Sequence, residues 1–474
     1  MDGLQTAVSE GTAAANRPIA AMLAEFACGL DDRAVPDRVM ERARLHILDC
    51  IGIALASTGY EFGQRTIDAM RGLAGEGPSP VIGTDIRLPM RDAALVNGTL
   101  IHGLDYDDTH SDGVVHASVS ALSAALAQGF ASGASGRDLL AAYLVGVEVS
   151  SRIGQAAQGG FHVRGHHPTG LVGAFGAALT AARLAGLSER EAAMAQGVAL
   201  SMAAGSLEFL SDGAWTKRIH PGWAAVAGIT AAALAGGGFQ GPSAPYEGRY
   251  GLYNLHLGAD HEARLDMATA ALGEVWELEN VAFKPYPACH FNHAFADAAL
   301  ALRREHGLRP EDVDSITGYI ADAQANVVCR PEETKKRPQN SYDAQFSMHY
   351  TIAAALTHGR FTLDEIDPDA ISDPEVLALA ERVGFAIDPD SAFPRYYSGE
   401  IRVRTRDGRE LRHREAVNRG SDANPLSSED ICAKFRDNAA RAVAPERVER
   451  IFEAVMTLDR APDLKELDAA LCEG

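Results

Sequence analysis

Cysteine is sparse in this chain. There are six in 474 residues, scattered at Cys28, Cys50, Cys289, Cys329, Cys432 and Cys472, with no Cys-x-x-Cys pair. Such usage suits a reducing cytosol better than a disulfide framework. Positive charge is also short, with 43 Lys and Arg against 64 Asp and Glu and a formal charge of −21. A polyanionic surface repels nucleic acid and acidic membranes, so neither is an expected partner. It repels an anionic substrate at long range too, so an acid-binding site must gather its cations locally. The amino terminus has no basic stretch leading into an apolar core, and no secretory signal is predicted. Strongly apolar runs of about 20 residues, the length that spans a bilayer, are missing as well. The uncharged stretch 223–239 is mostly Ala and Gly and reads as a buried helix. A soluble, cytoplasmic protein is expected.

Several familiar signatures are absent. Gly236-Gly237-Gly238 follows a helix and does not join a strand to one, so it fails the context of a phosphate loop. No Gly-x-Ser-x-Gly elbow and no His-Glu-x-x-His pair occurs.

What is present is helix up to about residue 280. The length allows two or three domains, or one large domain carrying a smaller one. The first sixteen or so residues are small and polar and read as a frayed end. Val39, Ala43, Ile47 and Ile51 fall four apart and form one apolar stripe. Ser135 with Asp138, Ser188 with Glu191 and Ser427 with Asp430 have the spacing of helix caps. Ala and Gly are dense in 173–187 and again after Trp223, which lets helix axes approach closely. The character changes after Lys284. Residues 315–328 contain strand-like pieces, 400–417 reads as a hairpin turning at Asp407-Gly408, and 372–383 reads as a helix with proline in its first turn. The predicted architecture is mainly α with an α+β part: a large all-helical domain, 1–283 and 422–474, with a smaller α+β lid inserted at 284–421.

Four groups of residues can carry chemistry. The first runs from His102 through Asp105, Asp107, Asp108, Thr109 and His110 to Asp112 and His116. Carboxylates and imidazoles this dense suit a metal site, or a base oriented by carboxylates, or simply a solvated loop that caps helices. The second, Gly165 to Gly170, holds His167 in a Pro/Gly turn before an Ala-rich helix. There a helix dipole attracts an anion, although a histidine in a turn is more often structural. The third, Trp215 to Gly222, supplies Lys217, Arg218 and His220, a local cationic spot able to clamp a carboxylate. The alternative is a surface charge run at a helix end. The fourth, Lys284 to His293, lies at the domain junction, where ligand sites are favoured. It contains Cys289, a possible nucleophile that reads better as a small buried hydrophobe.

Taken in this order, the four groups resemble the MmgE/PrpD family of dehydratases, decarboxylases and epimerases. Asn97-Gly98, the segment Gly238 to Pro242, Tyr342 to Ser347, Asn424-Pro425-Leu426 and Lys434-Phe435 extend the likeness over almost the whole chain. The resemblance implies a helical domain with an α+β lid, a homodimer, no metal or organic cofactor, and a small di- or tricarboxylate as substrate. It places catalytic positions on Asp105, Thr109, His116, His167, Lys217 and Lys284, with His290 and Tyr342 as substrate-binding positions beside Arg218 and His220. Three departures stand out. The interval from Thr109 to His116 is one residue longer than in the decarboxylases, which predicts a displaced His116. His110 stands where they have Trp, and Asp107 stands where the dehydratase has Asn.

The chemistry so implied makes a carbanion next to a carboxylate. It needs a proton carrier, His116 or His167, oriented by Asp105 and Thr109, and cations at the developing charge, Lys217 and Lys284. Elimination, decarboxylation and epimerisation all fit one such constellation. A metallohydrolase built on the Asp105 to His116 cluster and a non-catalytic scaffold are the rival readings.

Overall fold

Local sequence sets many of the helix ends. In the computed structural model, which describes residues 17–258 and 260–472, Ser135, Ser188 and Ser427 each accept a hydrogen bond from the backbone N–H three residues on. The acidic side chain at that position bonds back to the serine N–H. All three expected caps are therefore full capping boxes, each able to stabilise its helix by about 1 kcal/mol. The amino-terminal sixteen residues read as frayed lie outside the described residues.

The Ala- and Gly-rich segments form the centre. Helix His220–Gly236 packs on Pro168–Leu184 and on Met90–His102. Gly98 and Gly222 lie where two of these helices cross: a Cβ on Gly98 would collide with the backbone of Gly222, and a Cβ on Gly222 with the carbonyl of Leu95. That close crossing brings Lys217, just before His220, next to the loop after His102. The stretch Trp215–Gly236 is long and apolar enough to cross a membrane by length and composition, but 67% of its 18-residue apolar window is buried within the fold. Helix Asp37–Ser57 buries the stripe Val39, Ala43, Ile47 and Ile51. It receives helix Ser428–Ala439 from the far end of the chain. One continuous core thus joins residues between 19 and 281 to residues between 435 and 471.

The second core is drawn chiefly from residues 286–403. Its four-stranded sheet has the order Val383–Ile387, Val313–Ile320, Gly399–Thr405, Glu410–Glu415; the first pair is parallel and the others antiparallel. Helices His293–His306 and Met348–His358 cover one face, with Phe295 and Met348 closing over Gly318. The hairpin falls as expected, and Gly408 takes the left-handed φ of +88° that its turn requires. Residues 315–328 are strand only to Ile320. Helix Asp322–Val328 follows, because the apolar alternation stops there. Within 372–383 the helix is shorter than predicted, Pro374–Ala380, capped by the Asp373 side chain and followed by the strand from Val383. The fold is mainly α with an α+β part. Leu104, Tyr106 and Phe209 of the helical body pack into the second core, so the loop after His102 sits on the seam.

Candidate active site

The seam loop is built around a residue in a strained conformation. Asp105 has φ +50°, a left-handed backbone that Asp tolerates better than most residues. Its side chain and its own carbonyl therefore face the same partner. Lys284 Nζ donates to Asp105 O at 2.8 Å and to Oδ1 at 3.1 Å, while Lys217 Nζ donates to Oδ1 at 2.6 Å. Burial alone raises a carboxyl's pKa, but here the two ammoniums outweigh it and hold Asp105 well below the usual carboxylate range. Two ammoniums and one carboxylate leave one net positive charge in a buried place. Oδ2 of Asp105 has no partner.

Two residues on, Asp107 keeps different company. His102 Nδ1 donates to its Oδ2 at 2.8 Å, and His116 Nδ1 stands 3.3 Å from the same oxygen. His116 Nδ1 also donates to the Asp108 carbonyl at 2.8 Å. A carbonyl only accepts, so the proton of a neutral His116 sits on Nδ1 and Nε2 is left for the cavity. Burial lowers the His102 pKa to about 4, so this ring is a neutral donor to Asp107. Asp108 faces the other way. It accepts from the Ser118 N–H and hydroxyl, and His46 lies 2.9 Å from it.

His116 and His167 immediately precede helices Ala117–Ser132 and Pro168–Leu184, and His220 opens His220–Gly236. The positive ends of three helix dipoles thus begin beside the cavity, where they favour an anion. His167 Nδ1 lies 3.0 Å from His220 Nδ1, so one ring donates and the other accepts. Burial lowers both, His220 to about 4 and His167 further, and both rings are neutral at pH 7.

All six nominated catalytic residues, Asp105, Thr109, His116, His167, Lys217 and Lys284, line one cavity, together with His290. The longer interval before His116 does not carry it out of the cavity. His290 comes from the segment that leads into the second core. Asn418 Nδ2 donates to its Nε2 at 2.9 Å, leaving a buried Nδ1 without a partner, and Thr109 Oγ1 is likewise unpartnered. Buried polar atoms are almost always hydrogen-bonded, so open ones concentrated at one cavity mark where a polar ligand or water binds. Arg218, His220 and Tyr342 stand outside the lining. Arg218 donates to the Gly103 carbonyl at 2.9 Å, and its guanidinium lies 4.3 Å over Phe62 and 4.8 Å over Tyr342. It is held in an aromatic cage by cation–π attraction and does not reach the cavity. Cys289 lines the cavity, but burial pushes its thiol up to about 11, so it is no thiolate at neutral pH. His110 turns away to Glu277 at 3.0 Å. Sequence reasoning did not nominate His102 and Asp107, although both lie inside the first cluster, nor His162, Phe209, Phe291, Phe346 and Tyr397 on the cavity wall.

The MmgE/PrpD N-terminal domain matches residues 21–264 and the MmgE/PrpD C-terminal domain matches residues 286–460. The chain belongs to the MmgE/PrpD family. The matched C-terminal region includes helix Ser428–Ala439, which packs in the helical body. Among curated relatives, the chain is 31% identical to cis-aconitate decarboxylase of Mus musculus over 462 residues, covering 94% of this chain and 91% of that protein. It is 32% identical to the Homo sapiens protein of the same name over 457 residues, covering 94% and 92%. It is 26% identical to 2-methylcitrate dehydratase of Escherichia coli over 199 residues, 39% of each chain. As a member of this family of decarboxylases and dehydratases, the protein is a lyase.

Proposed function

We propose that this lyase acts without a cofactor on the carbon next to a carboxylate in a small di- or tricarboxylic acid, and that the reaction is a decarboxylation. The observation that carries this is the meeting, in one cavity, of two ammoniums on Asp105 and an imidazole backed by Asp107. Decarboxylation is favoured over dehydration because relatives named decarboxylase match almost end to end, while those named dehydratase match over 28% and 39% of the chain.

In this reading the substrate carries a carbon–carbon double bond conjugated with a retained carboxylate. The bond to the departing carboxylate breaks, carbon dioxide leaves, and its electron pair passes into the conjugated system as a dienolate. Lys217 and Lys284 hold the retained carboxylate and stabilise the charge that develops on it, which in a buried site is worth far more than in water. A protonated His116 delivers its Nε2 proton to carbon, with Asp107 as counter-charge to the imidazolium. Thr109 Oγ1 and His290 Nδ1 supply the hydrogen bonds that fix orientation.

A metal-dependent reading has one observation in its favour: ligand atoms of His102, His116 and His167 lie within 4.8 Å of one another. Against it, Asp105 is already bound by two ammoniums that repel a cation, and Asp107 is engaged by two imidazoles. Cytosolic location and a homodimer belong to the same proposal. The dimer is supported by Trp215, Ile219 and Trp223, large apolar side chains that fall four apart in sequence and are 42%, 43% and 44% exposed.

The test is incubation with a panel of unsaturated polycarboxylates in deuterated water, followed by NMR. The expected outcome is release of carbon dioxide with one deuteron placed on the product carbon, unaffected by EDTA. Water loss, exchange without net reaction, or activity that tracks stoichiometric zinc or manganese would each overturn it.

A further inference from the structure

The cavity is graded from a charged floor to an apolar mouth. Asp105, Lys217 and Lys284 at the floor are all at least 90% buried. The less buried lining residues are Val114, Leu207, Leu210, Phe291 and Val327 with the imidazoles of His116 and His162, and Leu210 is 44% exposed. Among the described residues that line the cavity, the basic side chains other than imidazoles are Lys217 and Lys284, and both are engaged with Asp105. The Arg218 guanidinium, which lies outside the lining, is caged by Phe62 and Tyr342. A carboxylate set against these side chains would gain no counter-charge, whereas a hydrocarbon group there gains by covering apolar surface.

We infer that the substrate is an acid whose carboxylates lie together at one end and whose other end is an unbranched alkyl chain directed along Leu207, Leu210 and Val327 to the mouth. This rests on the proposed reaction for the assignment of the floor, but it makes a separate claim about the mouth. A compact acid with carboxylates at both ends fits the floor and leaves the apolar wall without a partner.

The test separates the two claims by measuring binding and turnover independently. Binding of succinate and of its 2-alkyl derivatives, from methyl to hexyl, is measured by calorimetry on the intact protein, since none of these need react. Affinity is expected to rise about threefold per added methylene over the first few carbons. The gain should vanish in Leu210→Glu, whose site is already partly exposed and so tolerates a charge. A second variant, Val327→Lys, should reverse the preference toward an acid bearing a carboxylate in place of the tail. Flat or falling affinity along the series, or no binding of any member, overturns the inference. Should the alkyl acids bind as expected while no unsaturated acid is turned over, the decarboxylase reading fails and the substrate class stands. Should unsubstituted acids be turned over with no benefit from a tail, the reverse holds.

Discussion

Asp105 and Asp107 are two residues apart, equally buried, and they organise opposite halves of the cavity. Asp105 gathers ammoniums from two distant helical and junction segments, Lys217 and Lys284. Asp107 gathers imidazoles from its own neighbourhood, His102 and His116. The first carboxylate is held between two fixed cations, the second between two rings that carry protons on nitrogen. On the proposed mechanism, one short loop separates charge stabilisation from proton transfer by alternating which way its acidic side chains face.

The sharpest way to break this contrast is on the ammonium side. Lys284→Ala or Lys217→Ala should lower kcat/KM by about a thousandfold, with KM raised and kcat reduced, because both ground-state carboxylate binding and the developing charge lose their cation. Steady-state kinetics check it, and wild-type values in both variants would refute the division. On the imidazole side, Asp107→Asn should cost about a hundredfold in kcat with KM nearly unchanged, since the amide cannot offset an imidazolium. An equal rise in KM would mean that Asp107 also serves binding.

The buried imidazoles and Asp105 should also part company in acid. Burial depresses His46, His102 and His220 to about 4. In the unfolded chain such rings titrate near 6.5, so between these values the unfolded state binds more protons. Stability is complete above about pH 6.5 and is lost as pH falls toward 4. At pH 5 the loss is roughly 2 kcal/mol for each of the three rings. Denaturant unfolding at pH 7.5 and pH 5 measures it, and His102→Asn should remove about a third of the drop. Asp105, held below the usual range, takes no part.

What was legible in the sequence follows from how local each signal is. Ser427 and Asp430 announce a helix start because the whole interaction lies within one turn. The four chemical groups were legible as short motifs, and their meeting was carried by the order of those motifs along the chain. Arg218 was misplaced because charge says nothing about which way a side chain turns, and its cage is assembled from Phe62 and Tyr342, far away in sequence. His102 and Asp107 escaped nomination because their pairing depends on the left-handed turn at Asp105. The apolar mouth left no trace at all, since Leu207, Phe291 and Val327 look like any other core residues until the fold brings them together.

His116, His167 and His220 each mark the start of a helix, and that has a consequence for anyone trying to kill this enzyme by mutagenesis. Part of the electrostatic attraction for an acid comes from peptide N–H groups, which no side-chain replacement deletes and no shift of pH titrates. A variant stripped of both lysines should still retain a low background of anion affinity, a remnant of function written into the backbone.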